Sequence, residues 1–225
     1  MKQMIVTLPG DGIGRVVLEA TIQVLDAAGF SANYIEADIG WEFWRSEGNP
    51  LPQRTLDIIA EHKIALFGAI TSKPKDEAFA ELVPELQEQG LVYSSPIVGL
   101  RQHFGLDICL RPCRTYKGNP LNFIRRSADG GVEEPEVDVA IFRQNTEGLY
   151  GGVEWSDPPT QVHEALMTHP KFRSNFGDVP VEDISLSTRI FTKKATERIL
   201  RAAFEYARKY DYQSVTLCEK PNVIR

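Results

Sequence analysis

Six cations, Arg101, Arg111, Arg114, Lys117, Arg125 and Arg126, crowd residues 101–126 against a single acid, Asp107, in a chain whose formal net charge is −6. The planar fork of an arginine matches two oxygens of a carboxylate or phosphate, so the cluster points to a small polyanionic ligand. Arg101 and Arg111 close a predicted helix and the strand after it, and Arg143 closes the next predicted strand. Strand ends and their loops are where open α/β sheets place ligands. Any one of these arginines taken alone reads equally well as a solvated surface residue. Tyr150 follows Arg143 in the stretch Arg143-Gln144-Asn145-Thr146-Glu147-Gly148-Leu149-Tyr150-Gly151-Gly152. A phenol near arginines can give its proton to a developing enolate, because neighbouring cations stabilise the anion left behind. The competing reading is an aromatic anchor. Lys220 sits just past the last predicted strand. Beside other cations a lysine can act as a base, although most such lysines are simply solvated. Gly10-Asp11-Gly12-Ile13-Gly14 follows a strand and opens a helix, but its spacing is not the G-x-G-x-x-G of a dinucleotide fold. It predicts a tight turn at a cleft, with glycines supplying positive φ and close approach. His62, His103, His163 and His169 form no pair or triad and receive no role.

These side chains need a frame, and the pattern predicts an α/β fold with a mainly parallel sheet. Met4–Leu8 reads as a strand and Ile13–Ala28 as a helix with Val16, Val17, Ala20, Val24 and Ala28 on its inner face and Gly29 as its stop. Asn33–Ala37 reads as a weaker strand, Pro52–His62 as a helix and Ile64–Phe67 as a fully buried strand. Asp76 is the predicted cap of a helix carrying Phe79, Leu82, Val83 and Leu86, interrupted at Pro84. Ile97–Phe104 reads as helix, and Leu106–Leu110 and Val137–Phe142 as strands. Gly151–Ser187 shows little periodicity and is too long for an ordinary loop, so an arm or exchanged segment is expected. Thr192 is the predicted cap of a helix over Lys193–Tyr210, supported by Glu197–Arg201 and Glu205–Lys209 spacings. Ser214–Leu217 reads as a last strand. Its return helix has barely begun at Arg225, which suggests the front part of a longer protein.

Composition narrows the function classes. The 225 residues allow one large domain or two small ones and a substantial core. No apolar run approaches the length of a membrane span, and no signal-peptide core opens the chain, so the cytoplasm is the default expectation. Three cysteines (Cys109, Cys113 and Cys218) form neither a disulfide framework nor a zinc spacing. The acidic balance argues against a general nucleic-acid binder.

Four ordered motifs resemble those of the β-decarboxylating hydroxyacid dehydrogenases: the isocitrate, 3-isopropylmalate and homoisocitrate dehydrogenases. They are Leu8-Pro9-Gly10-Asp11-Gly12-Ile13-Gly14; Leu100-Arg101 with Leu106-Asp107-Ile108-Cys109-Leu110-Arg111-Pro112; Phe142 to Tyr150; and Val215 to Asn222. The resemblance implies a two-lobed α/β fold with its C-terminal part missing. Residues 1–99 would form an incomplete first lobe, and 100–225 a second lobe with a dimer arm at about 151–187. It implies substrate binding by Ser95, Arg101, Arg111 and Arg143, with Tyr150 as acid and Lys220 as base. It also implies cofactor contacts at Ile13, Thr71 and Asn222. NAD or NADP would accept a hydride, and Mg²⁺ or Mn²⁺ would assist, held by ligands expected beyond residue 225. A homodimer acting on a small polycarboxylate follows. Ser95, six residues before Arg101, favours isocitrate, whereas Ile97 and Val98 look like the apolar pocket of isopropylmalate enzymes. Homoisocitrate, or a non-catalytic dimerising subunit, are the other readings. Gln144 stands where the family usually has an acid, and Glu219 and Pro221 flank Lys220.

Overall fold

The computed structural model describes residues 2–219, which divide into two compact units, Met1–Phe104 and Gly105–Arg225. The first unit is built on a three-stranded parallel sheet in the order β2-β1-β3, with β1 at Gln3–Gly10, β2 at Ala32–Glu36 and β3 at Ala65–Ala69. β1 lies between the other two, and its run from Ile5 to Pro9 is buried throughout. With Ala37, Ile39, Ile59 and Leu100, Val6 and Leu8 form the core.

Helix α1 (Ile13–Ala27) covers the sheet, but not by the expected face. Val16 and Val24 are 60% and 68% exposed, while Gly14 and Leu18 are the buried positions. The close seat of Gly14 on β1 and β3 sets the helix rotation: a Cβ there would stand 2.3 Å from the Pro9 carbonyl oxygen. Once Gly14 is inward, Leu18 follows one turn later, and the valines are carried outward. β3 is the second correction. It is an edge strand, not a fully buried one, and leaves Ile64 and Phe67 exposed.

Two short helices, α2 (Trp41–Glu47) and α3 (Gln53–His62), connect β2 to β3. Pro74, not Asp76, occupies the cap of α4 (Lys75–Ala80), and Pro84 opens the separate α5 (Pro84–Gln87), since its missing N–H costs nothing at a first helical position. Trp41, Trp44, Ala78, Leu82 and Tyr93 make a second core cluster, in which Trp44 Nε1 donates to the Ala78 carbonyl at 2.7 Å. Helix α6 (Pro96–His103) closes the unit.

The second unit is antiparallel where a mainly parallel sheet was expected. β4 (Ile108–Arg114) pairs over seven residues with β7 (Asp138–Gln144). A small hairpin of β5 (Arg125–Arg126) and β6 (Val132–Glu133) lies between them in sequence. Helix α9 (Lys193–Lys209) packs on the β4–β7 ribbon, its Tyr206 ring 5.3 Å from that of Phe142. Thr192 caps it as expected, Oγ1 accepting from the Ala195 N–H at 3.2 Å. The i,i+4 ion pair it forms is Lys193–Glu197, rather than either predicted pair. The region read as irregular is instead a stalk bearing two helices. β8 (Glu154–Trp155) pairs with β9 (Leu186–Ser187), and α7 (Thr160–Met167) and α8 (Pro170–Phe176) lie between them. Residues 214–219 are not a strand, because no described segment pairs with them to take their N–H and C=O groups. No described helix is long and apolar enough to cross a membrane.

Candidate functional site

The register of the ribbon decides which side chains meet. Cys109 lies opposite Arg143, and Arg111 opposite Ile141. Opposed residues of an antiparallel pair share a face, and so do residues two apart on one strand. Arg111 and Arg143 are therefore diagonal neighbours, with Cα atoms about 7 Å apart by strand geometry. Their face is the reverse of the one that carries Phe142 to α9. Neither forms an ion pair among the described residues, nor does Arg101, whereas Arg114 and Arg125 of the same basic stretch are taken up by Asp138 and Glu133. The arginines expected to bind substrate are thus left without carboxylate partners, and two of the others behave as surface cations.

Arg143 is joined by the phenol. The chain turns sharply after β7 through a 3-10 turn at Leu149–Gly151, entered at Gly148 with φ +67° and left at Gly152 with φ +64°. A Cβ on Gly148 would press against the Phe191 ring at 3.2 Å, so glycine is required for space as well as for φ. The turn brings Tyr150 back over its own strand. Arg143 Nη2 donates to the Tyr150 hydroxyl oxygen at 2.6 Å, and the guanidinium carbon stands 5.0 Å from the ring centroid. Because arginine can only donate, the Tyr150 proton is free for another acceptor. Arg143 Nε is buried with no partner among the described residues, an N–H that an anionic ligand would satisfy.

Three residues given no role from the sequence border this arrangement. Asn145 is buried, and its Oδ1 accepts from Arg143 Nη2 at 3.2 Å. Gln144, the departure from the family pattern, accepts from the N–H groups of Thr146 and Glu147 at 2.9 and 2.8 Å and so shapes the turn. Arg189 lines a cavity of about 290 Å³ with Gln144, Glu147 and Tyr150. The Glu147 carboxylate in that cavity is engaged by the Thr192 N–H and hydroxyl. The signal for Asn145 and Gln144 was their place between two singled-out residues; Arg189, 39 positions beyond Tyr150, carried none.

In the first unit, Ser95 precedes α6, and its hydroxyl makes no capping bond. Arg101 lies in the last turn of that helix. Ile13, 66% exposed, and Thr71 flank the carboxyl ends of β1 and β3. Cβ atoms on Gly10 and Gly14 would strike the Ala69 backbone, so the freedom of these two glycines serves the close approach of β3, while Gly12 borders open space. Among the described residues no group of three or more His, Cys, Asp or Glu side chains is arranged to hold a metal, so the residues in hand do not build the expected Mg²⁺ or Mn²⁺ site. Lys220 and Asn222 lie outside the described residues.

The family profile described as isocitrate/isopropylmalate dehydrogenase matches residues 4–225. Isocitrate dehydrogenase [NADP] of Archaeoglobus fulgidus is 33% identical over 221 residues, covering 96% of this chain and 47% of the relative. Protein DlpA of Legionella pneumophila is 36% identical over 223 residues, covering 98% of this chain and 33% of the relative. The crystal structure of isocitrate dehydrogenase from Methylococcus capsulatus matches with TM-score 0.70 and 28% identity, over 100% of this chain and 52% of that one. The chain therefore spans about half the length of the isocitrate dehydrogenases it matches. A single profile running through all four sequence motifs leaves one conclusion: the chain belongs to the isocitrate/isopropylmalate dehydrogenase family.

Proposed function

We propose that the chain carries the substrate arginines and part of the nucleotide site of a nicotinamide-dependent enzyme that oxidises and decarboxylates a 2-hydroxy acid bearing a 3-carboxylate, with isocitrate as substrate and 2-oxoglutarate as product. The observation that carries the reading is the contact of Arg143 with Tyr150 at 2.6 Å on a ribbon face that Arg111 shares. Arg111 and Arg143 bind substrate carboxylates, the role that the family resemblance also gives Arg101 and Ser95. Ile13 and Thr71 would hold a nicotinamide cofactor, NAD or NADP, which would supply the hydride acceptor for C2. The hydroxyl proton leaves to a base, for which the family resemblance nominates Lys220. Carbon dioxide departs without its bonding electron pair, which becomes the enolate, and Tyr150 returns a proton to C3. The guanidinium bonded to the phenol oxygen stays in place as the proton leaves and stabilises the phenolate. The homodimer implied by the resemblance forms part of this proposal.

The test is the growth of reduced-nicotinamide absorbance with isocitrate, isopropylmalate and homoisocitrate in turn, each with Mg²⁺ or Mn²⁺ and with NAD or NADP. Isocitrate is expected to support the fastest turnover. A preference for either of the others reassigns the substrate. Calorimetric binding of isocitrate without turnover identifies a non-catalytic subunit, and neither binding nor turnover with any of the three overturns the reading.

A further inference from the structure

The order β2-β1-β3 means that the chain leaves β1 toward one side of the sheet and returns on the other. The carboxyl ends of β1 and β3 therefore flank a topological switch point, the place where open parallel sheets take their ligands. Asp11 stands there, one residue past β1. Its carboxylate accepts two main-chain donors from distant segments: Oδ1 from the Trp41 N–H at 2.7 Å, and Oδ2 from the Thr71 N–H at 2.8 Å. Its own N–H donates to the Ala69 carbonyl at 2.7 Å, and its carbonyl accepts from Gly14 at 2.9 Å. One residue thus ties the turn before α1 to the entry of α2 and to the loop after β3.

The surroundings are shaped to this carboxylate. Gly40 holds φ +118°, and a Cβ there would approach Asp11 Oδ1 to 2.6 Å, so no other residue fits beside it. Thr71 is gripped on its other side as well, where the Tyr93 hydroxyl donates to its carbonyl at 3.1 Å. Burial, with the Asp11 charge adding to it, raises the Tyr93 pKa and keeps that donor protonated. The Trp41 and Thr71 N–H groups, which could otherwise receive an anion at this switch point, already hold an internal one.

We infer that Asp11 is a positioning residue for the nucleotide site, a clasp that sets the Thr71 rim against the turn carrying Ile13. The inference rests on the cofactor reading above, in which Ile13 and Thr71 meet the nucleotide. Asn in place of Asp11 keeps one acceptor and turns an N–H toward the second donor, so half the clasp opens at almost constant volume.

The test uses the intact protein and its variants Asp11→Asn and Tyr93→Phe. NAD and NADP are titrated against tryptophan fluorescence, and initial rates are measured with varied nucleotide and varied hydroxy acid. Amide hydrogen exchange is followed in parallel. Asp11→Asn is expected to weaken nucleotide binding and raise its KM by about tenfold, the scale of one lost charge-assisted hydrogen bond. The KM for the hydroxy acid stays at the wild-type value, and exchange quickens at Thr71 and Trp41 while β1 remains protected. Tyr93→Phe is expected to show the same pattern in weaker form. Wild-type nucleotide affinity in both variants overturns the clasp, and so does a parallel rise of both KM values with general loss of protection, which marks a merely structural residue. A wild-type protein that binds neither nucleotide overturns the cofactor reading itself.

Discussion

At the scale of single residues, the proposed chemistry gathers on one phenol and the guanidinium bonded to it. Tyr150 has one donor aimed at its oxygen and keeps its own proton free. Tyr150→Phe is therefore expected to slow turnover while leaving substrate affinity within about twofold of wild type, since it removes an interaction made as the enolate collects its proton. Rapid initial-rate and calorimetric measurements on the same preparation check this; an unchanged rate would remove the acid from the mechanism. Arg111 is an exposed strand residue with no ion pair among the described residues, so Arg111→Ala is expected to raise the KM for the hydroxy acid about tenfold, in line with the lost hydrogen bonds of one half-solvated charge. The sequence showed these residue types and their order. It did not show Asn145 bracing Arg143, because an asparagine in a polar turn has no pattern that separates bracing from solvation.

At the scale of elements, two anchoring contacts stand out. Asp107, 4% exposed at the entry to β4, takes Arg198 of α9 at 2.6 Å, and its carbonyl accepts from the Asn145 N–H at 2.8 Å. Arg198→Ala leaves that carboxylate buried without its partner. A loss of about 2 kcal/mol in unfolding free energy is expected, below the fully buried value because Arg198 is half exposed; denaturant melts measure it. In the first unit, Glu81 joins α2 to α4. Its carboxyl is held below the ordinary glutamate range, first by its bond with Lys73 and then by Trp41 Nε1. A depressed folded-state pKa contributes stability that is full above the unfolded value and lost as pH falls through the folded one. Thermal stability is therefore expected to decline below about pH 4.3, and less steeply in Glu81→Gln than in the wild type, since Glu47 and Asp138 are held low as well. Periodicity located most of these elements. It mistook the rotation of α1, because hydrophobic spacing cannot register that Gly14 must face β3 for lack of room.

At the scale of the whole molecule, the segment between residues 151 and 187 matters most. Its stalk closes on itself: β8 meets β9, and the Thr188 N–H and hydroxyl both bond the Val153 carbonyl, at 3.1 and 2.9 Å. The chain leaves and returns at one point, so excision of residues 157–183 joins ends that are already adjacent. Under the proposed homodimer, that excision is expected to yield a monomer in sedimentation velocity with the helix and strand content of the remainder preserved. A dimer that persists removes the arm from the interface. The sequence alone determined the alternation of helices and strands, the ordered motifs, the cationic stretch and the partner-seeking arginines, because these depend on residue type and spacing along one chain. Only tertiary structure decided that β4 and β7 run antiparallel, so that Arg111 and Arg143 share a face, and that Asp11 is spent on the main chain rather than offered to a ligand. Strand direction, register and the choice between two hydrogen-bond partners are settled by segments distant in sequence, and local composition carries no record of them.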